Sequence, residues 1–109
     1  MNLEKNIQIC NLMDTYERLL TDKQRDILQK FYYYDNSLSE IAEEYGTTRQ
    51  AVNDLIKRTT AILEDYESKL RLFEKYQEIL SIVNEVMYAD LTEAQKKKKL
   101  NEIIDCVGA

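Results

Sequence analysis

The stretch SLSEIAEEYGTTRQAVNDLIKR, Ser37 to Arg58, constrains the fold more than any other part of this chain. Gly46 stands between two helix-forming runs, and each run opens on a residue able to cap it. Ser37 has Glu40 three residues on, and Thr47 has Gln50. In that spacing a hydroxyl and a longer polar side chain satisfy the unpaired N–H groups of a helix's first turn. Glycine takes the left-handed conformation just past a helix end without a side-chain clash. Helices joined by so short a turn cross closely and bury their inner faces together. Leu38, Ile41, Ala42 and Tyr45 supply one face, Val52 and Leu55 the other, with Ala42 small where the helices cross. A helix-turn-helix is the expected result.

The rest of the sequence reads as helix too, because the whole chain holds two glycines and no proline to break one. From Leu3 to Leu20, apolar residues at Leu3, Ile7, Cys10, Leu12, Met13, Tyr16, Leu19 and Leu20 predict one amphipathic helix. Thr21 with Gln24 forms a further capping box, opening a helix that carries Ile27, Leu28, Phe31 and Tyr32. Asp35, Asn36 and Ser37 then favour a turn. Between Thr48 and about Tyr88 nothing interrupts a helix, so either two helices or one rod kinked near Ser68 is expected. Positions from Ile56 through Thr59, Leu63, Tyr66, Leu70, Phe73, Gln77, Leu80 and Asn84 to Met87 step by threes and fours, as a coiled-coil seam does. Asp90 or Thr92 caps a last helix lined by Leu100, Ile103, Ile104 and Val107. The expected class is all-α: a helix-turn-helix bundle over residues 1–66 followed by a helical extension over 67–109, with one compact unit as the alternative.

Several classes of function fall away. No run approaches the roughly 20 apolar residues of a membrane span, and the opening residues lack a secretory leader, so a cytoplasmic protein without a membrane partner is expected. Cys10 and Cys106 lie far apart and the chain has no histidine, which leaves no metal knuckle and makes both cysteines reduced packing residues. Without histidine, a glycine-rich phosphate loop or a nucleophile beside a base, neither an enzyme nor a cofactor is expected. The net charge of −5 opposes general attraction to phosphate, so any nucleic-acid contact is local.

The local candidates are Thr48, Arg49, Gln50, Asn53, Lys57 and Arg58, which point outward from the second helix of the motif and suit base edges or phosphates. Glu40, Glu43 and Glu44 oppose them from the first helix, which in such motifs crosses the phosphate backbone. The run FYYY, Phe31 to Tyr34, could stack bases, yet consecutive aromatics on a helix point in all directions and serve packing as readily. Lys96 to Lys99 wrap round a helix and read as a solvated face, with a phosphate or acidic partner as the alternative. Tyr66, Leu70, Phe73, Leu80 and Met87 form the candidate interface of a homodimer, since broad apolar surfaces mark interfaces.

Through LLTDKQRDILQKFYYYDNSLSEIAEEYGTTRQAVNDLIKRT and the helical tail, the chain resembles the YlxM-like helix-turn-helix proteins of Gram-positive bacteria. The DNA-binding-like half of that family is similar to region four of sigma factors. By its gene neighbourhood, the resemblance implies participation in, or regulation of, the signal recognition particle pathway, with the particle's GTPase or its RNA as partner. The outward residues Thr48, Arg49, Gln50, Asn53 and Lys57 themselves carry the alternative, a transcription regulator that reads DNA with the helix starting at Thr48. Ala51, Asn53 and Asp54 depart from sigma region four by lowering the positive charge of that surface.

Overall fold

The computed structural model describes residues 3–108, and among them every regular element is helical. The order is α1 (Leu3–Tyr16), a 3-10 turn (Glu17–Leu19), α2 (Asp22–Tyr32), α3 (Leu38–Tyr45), α4 (Arg49–Leu70), α5 (Leu72–Tyr88) and α6 (Glu93–Gly108). None of these helices is long and apolar enough to cross a membrane. The chain divides into two compact units, Met1–Leu70 and Arg71–Ala109. Two helices therefore occupy the long uninterrupted stretch. The break between them is Arg71, whose φ of 54° and ψ of 31° are left-handed. Ser68 lies inside α4, its hydroxyl donating to the carbonyl of Asp65 at 2.8 Å; no glycine or proline marks the break that follows.

In the first unit α4 is the central element, packed against α1, α2 and α3. Ile9, Met13 and Tyr16 from α1, Ile27 and Leu28 from α2, Ile41 and Ala42 from α3, and Val52, Ile56 and Leu63 from α4 form the core. Burial of each large side chain contributes about 1.5–3 kcal/mol. Thr59 is buried among them with its hydroxyl donating to the carbonyl of Leu55 at 2.7 Å, so no polar atom is stranded. The buried stripe of α1 differs from the sequence expectation. Ile9 is inside, whereas Leu3, Ile7 and Leu19 are exposed, and the helix stops at Tyr16 rather than Leu20. Tightening into the 3-10 turn brings Leu20 into the core in an extended conformation, directly before Thr21 caps the next helix.

The caps explain where the helices begin. Thr21 with Gln24, and Ser37 with Glu40, make reciprocal side-chain and backbone bonds at the starts of α2 and α3. Gly46 ends α3 at φ 64° and ψ 38°, and the N–H of Thr47 then reaches back to the carbonyl of Ala42 at 2.9 Å. This closure uses Thr47. The cap of α4 is consequently Thr48, whose hydroxyl accepts from the N–H of Ala51 at 3.0 Å, and not the expected pair of Thr47 and Gln50.

The second unit is a hairpin of α5 and α6. The two run antiparallel: the Cys106 thiol approaches the Glu78 carboxylate (3.2 Å), and Lys99 pairs with Glu85 (2.9 Å). Thr92 and Gln95 cap α6 reciprocally, which decides between Asp90 and Thr92. No described residue of either helix is buried.

Candidate functional site

The helix-turn-helix is made of α3, the Gly46 turn and the first half of α4. Because α4 buries Val52, Ile56 and Thr59, the opposite face of its first three turns points outward. Two rows run along that face at four-residue spacing. Arg49, Asn53 and Lys57 form one; Gln50, Asp54 and Arg58 form the other.

The rows differ in what they leave free. In the second, the Gln50 amide donates to the Asp54 carboxylate at 2.9 Å and the Arg58 Nε–H to the Asp54 carbonyl at 3.4 Å, so the row is bonded to itself. In the first, Arg49 and Lys57 are exposed and have no ion-pair partner among the described residues, with the half-buried Asn53 amide between them. Arg49, Gln50 and Asn53 also line a shallow cleft with Leu38, at the start of α3. Thr48, the remaining sequence candidate, is engaged as the cap of α4. The structure thus gathers all six residues on the outer side of the first half of one helix, and three of them, Arg49, Lys57 and Arg58, carry positive charge in no ion pair among the described residues.

Of the three glutamates expected to oppose them from α3, two are engaged elsewhere. Glu40 accepts from the N–H of Ser37 at 3.0 Å, and that bond, with the one from the Ser37 side chain, holds its carboxyl below the usual range. Glu44 pairs with Lys30 at 2.6 Å, and Lys30 pairs in turn with Asp26 at 2.9 Å. Glu43 is exposed and in no ion pair among the described residues. Asp26 also accepts from the Tyr45 hydroxyl, while the Lys23 and Lys30 ammonium groups stand 5.8 and 5.3 Å from the Tyr45 ring centroid. This group braces α2 against α3 and so fixes how the motif is presented. Sequence reading missed it. Asp26 and Lys30 are i,i+4 neighbours on α2, but the links that cross to α3 span nineteen and fourteen residues, separations without periodic signature.

The remaining candidates lie elsewhere. Phe31 and Tyr32 are half-buried and meet edge to face, Tyr33 is anchored by its hydroxyl to Asp14, and Tyr34 is exposed. Lys96 and Lys99 are engaged with Glu93 and with Glu85 and Glu102. Tyr66 faces the Tyr16 ring within the first unit, with centroids 5.8 Å apart, and Leu70 is the last residue of α4. Phe73, Leu80 and Met87 belong to the second unit; Phe73 is half-buried, whereas Leu80 and Met87 are exposed. The proposed seam therefore splits: Ile56, Thr59 and Leu63 are core of the first unit, and only its later positions are open.

Residues 3–103 match the family described as "UPF0122: Putative helix-turn-helix protein, YlxM / p13 like". A UPF0122 protein of Bacillus velezensis is 44% identical over 111 residues, covering 98% of this chain and 96% of its own. One from Shouchella clausii is 45% identical over 94% of each chain. Another, from Anoxybacillus flavithermus, is 57% identical over 70% of this chain and 69% of its own.

Proposed function

This chain belongs to the family of YlxM / p13-like helix-turn-helix proteins, and from that membership we propose that it is a regulatory adaptor of the signal recognition particle pathway. It works in the cytoplasm and touches the particle's GTPase or its RNA. One observation carries this reading: the outer face of α4 is of mixed charge, with Arg49, Lys57 and Arg58 in no ion pair among the described residues but Asp54 between them, and with the exposed Glu43 on the neighbouring α3. A long duplex backbone repels such a face at every carboxylate. A protein surface or a folded RNA, which offers charge at a few points, accommodates it. The net charge of −5 acts in the same direction. Retention of the particle's GTPase or RNA on the immobilised protein, reduced by the double substitution Arg49→Ala and Lys57→Ala, is the expected result. Failure to retain either overturns the reading.

A second reading has its own support. Arg49, Asn53 and Lys57, aligned beside the cleft at Leu38, form the row with which a recognition helix grips DNA. Gel shifts with genomic fragments at low salt test it: binding that weakens steeply as salt rises and is lost with Arg49→Ala supports DNA reading, and no shift at low salt rejects it.

A further inference from the structure

The second unit leaves an apolar surface that neither of its helices covers. In the hairpin, Ile79, Ile82 and Val86 of α5 turn toward Ile103 and Cys106 of α6, and all five are half-buried. Besides Tyr88 at the end of α5, six other large side chains remain open: Tyr76 (51% exposed), Leu80 (56%) and Met87 (64%) on α5, and Leu100 (48%), Ile104 (67%) and Val107 (64%) on α6.

These six share one face. At about 100° of rotation per residue, Tyr76, Leu80 and Met87 lie about a quarter turn from the α5 seam, in the direction in which the chain winds. Leu100, Ile104 and Val107 lie about a quarter turn from the α6 seam in the same direction. The helices are antiparallel, so equal rotations of the same sense bring both stripes to the same side. The opposite flank is polar, with Glu78, Ser81, Glu102 and Asp105 around one groove.

We propose that this face, built jointly by α5 and α6, pairs with the same face of a second copy of the chain, giving an antiparallel bundle of four helices. Size is the first argument. The open area of the six residues is on the order of 600 Å², at the top of the range of about 300–600 Å² for the largest apolar patch of a monomer and approaching the roughly 800 Å² per partner of a stable interface. Composition is the second. The stripe is neutral and apolar, so it complements itself and not a charged surface. The third is that the unit, Arg71–Ala109, has no buried described residue. Below about 40 residues a unit usually needs a disulfide, a metal or a partner to be stable, and its one cysteine, Cys106, is a free thiol. Joining two hairpins gives both a shared core of the four-helix type. The interface differs from a seam running from Tyr66, because α6 supplies half of it and Tyr66 packs within the first unit.

Sedimentation equilibrium of the full chain, from about 1 to 100 µM, tests the proposal over the range where modest interfaces form. A mass twice the 12.9 kDa of the chain is expected in the upper part of that range. Leu80→Glu and Ile104→Glu, one on each helix, each return it to monomer, while Ser81→Lys on the polar flank leaves it a dimer. A monomer at every concentration overturns the proposal, as does a dimer that survives both glutamate substitutions or a larger oligomer. If either glutamate variant loses helix by circular dichroism, the glutamine at the same position, Leu80→Gln or Ile104→Gln, replaces it and the wild-type mass still decides.

Discussion

The Tyr45 hydroxyl donates to the Asp26 carboxylate, joining the last residue of α3 to the middle of α2. Through Lys30, Asp26 is further linked to Glu44. The two helices, already packed through Ile27, Leu28, Ile41 and Ala42, are thereby also joined by polar contacts at their outer edge. The presentation of Arg49 and Lys57 thus depends on α2 as well as on the two helices of the motif.

That link makes stability depend on acid. The hydrogen bond from Tyr45, and then that from Lys30, hold the Asp26 carboxyl below its ordinary value of 3.8. A carboxylate that binds its proton less tightly when folded contributes fully above its unfolded value and loses that contribution as pH falls through the folded one. Wild-type stability should therefore decline below about pH 4 more steeply than that of Asp26→Asn. Tyr45→Phe should lower unfolding free energy at neutral pH by about 1 kcal/mol. Urea denaturation across pH checks both, and parallel acid limbs for wild type and Asp26→Asn would remove Asp26 from the account.

Gly46 should tolerate a side chain in space but not in backbone. An added Cβ meets nothing within 4 Å, yet φ is +64°. Gly46→Ala is therefore expected to cost about 1 kcal/mol, read as a fall in Tm of about 4–8 °C. Gly46→Asn, better suited to left-handed backbone, should cost less. Equal losses for the two would show that backbone conformation is not the cause.

Leu63 is fully buried on α4, so Leu63→Ala should destabilise the first unit by about 2–5 kcal/mol through lost contacts and a cavity. Denaturant unfolding followed by circular dichroism measures this. A loss under about 1 kcal/mol would mean that the core closes over the gap.

Arg49→Ala and Lys57→Ala should leave stability within about 0.5 kcal/mol of wild type, because neither side chain is in an ion pair among the described residues. With a nucleic-acid partner, each should lower the slope of log affinity against log salt by about 1. A large loss of thermal stability would instead assign these residues a structural role.

The sequence by itself determined the elements whose causes are local. Capping boxes at Thr21 and Ser37, the glycine at 46 and the absence of proline act within a few residues, so the starts of α2 and α3 and the turn between α3 and α4 were legible. The outward row at Arg49, Asn53 and Lys57 followed from the same periodicity. Tertiary structure decided which stripes are covered. Ile7 and Ile9 both fit a helical stripe, and only the packing of α1 against α4 selects Ile9. A single run of threes and fours divides into a buried part at Ile56 and Leu63 and an open part at Leu80 and Met87. Its division rests on the break at Arg71, which has neither glycine nor proline to announce it. Periodicity records the phase of a helix face, whereas burial depends on what lies opposite, and the residues opposite come from distant parts of the chain.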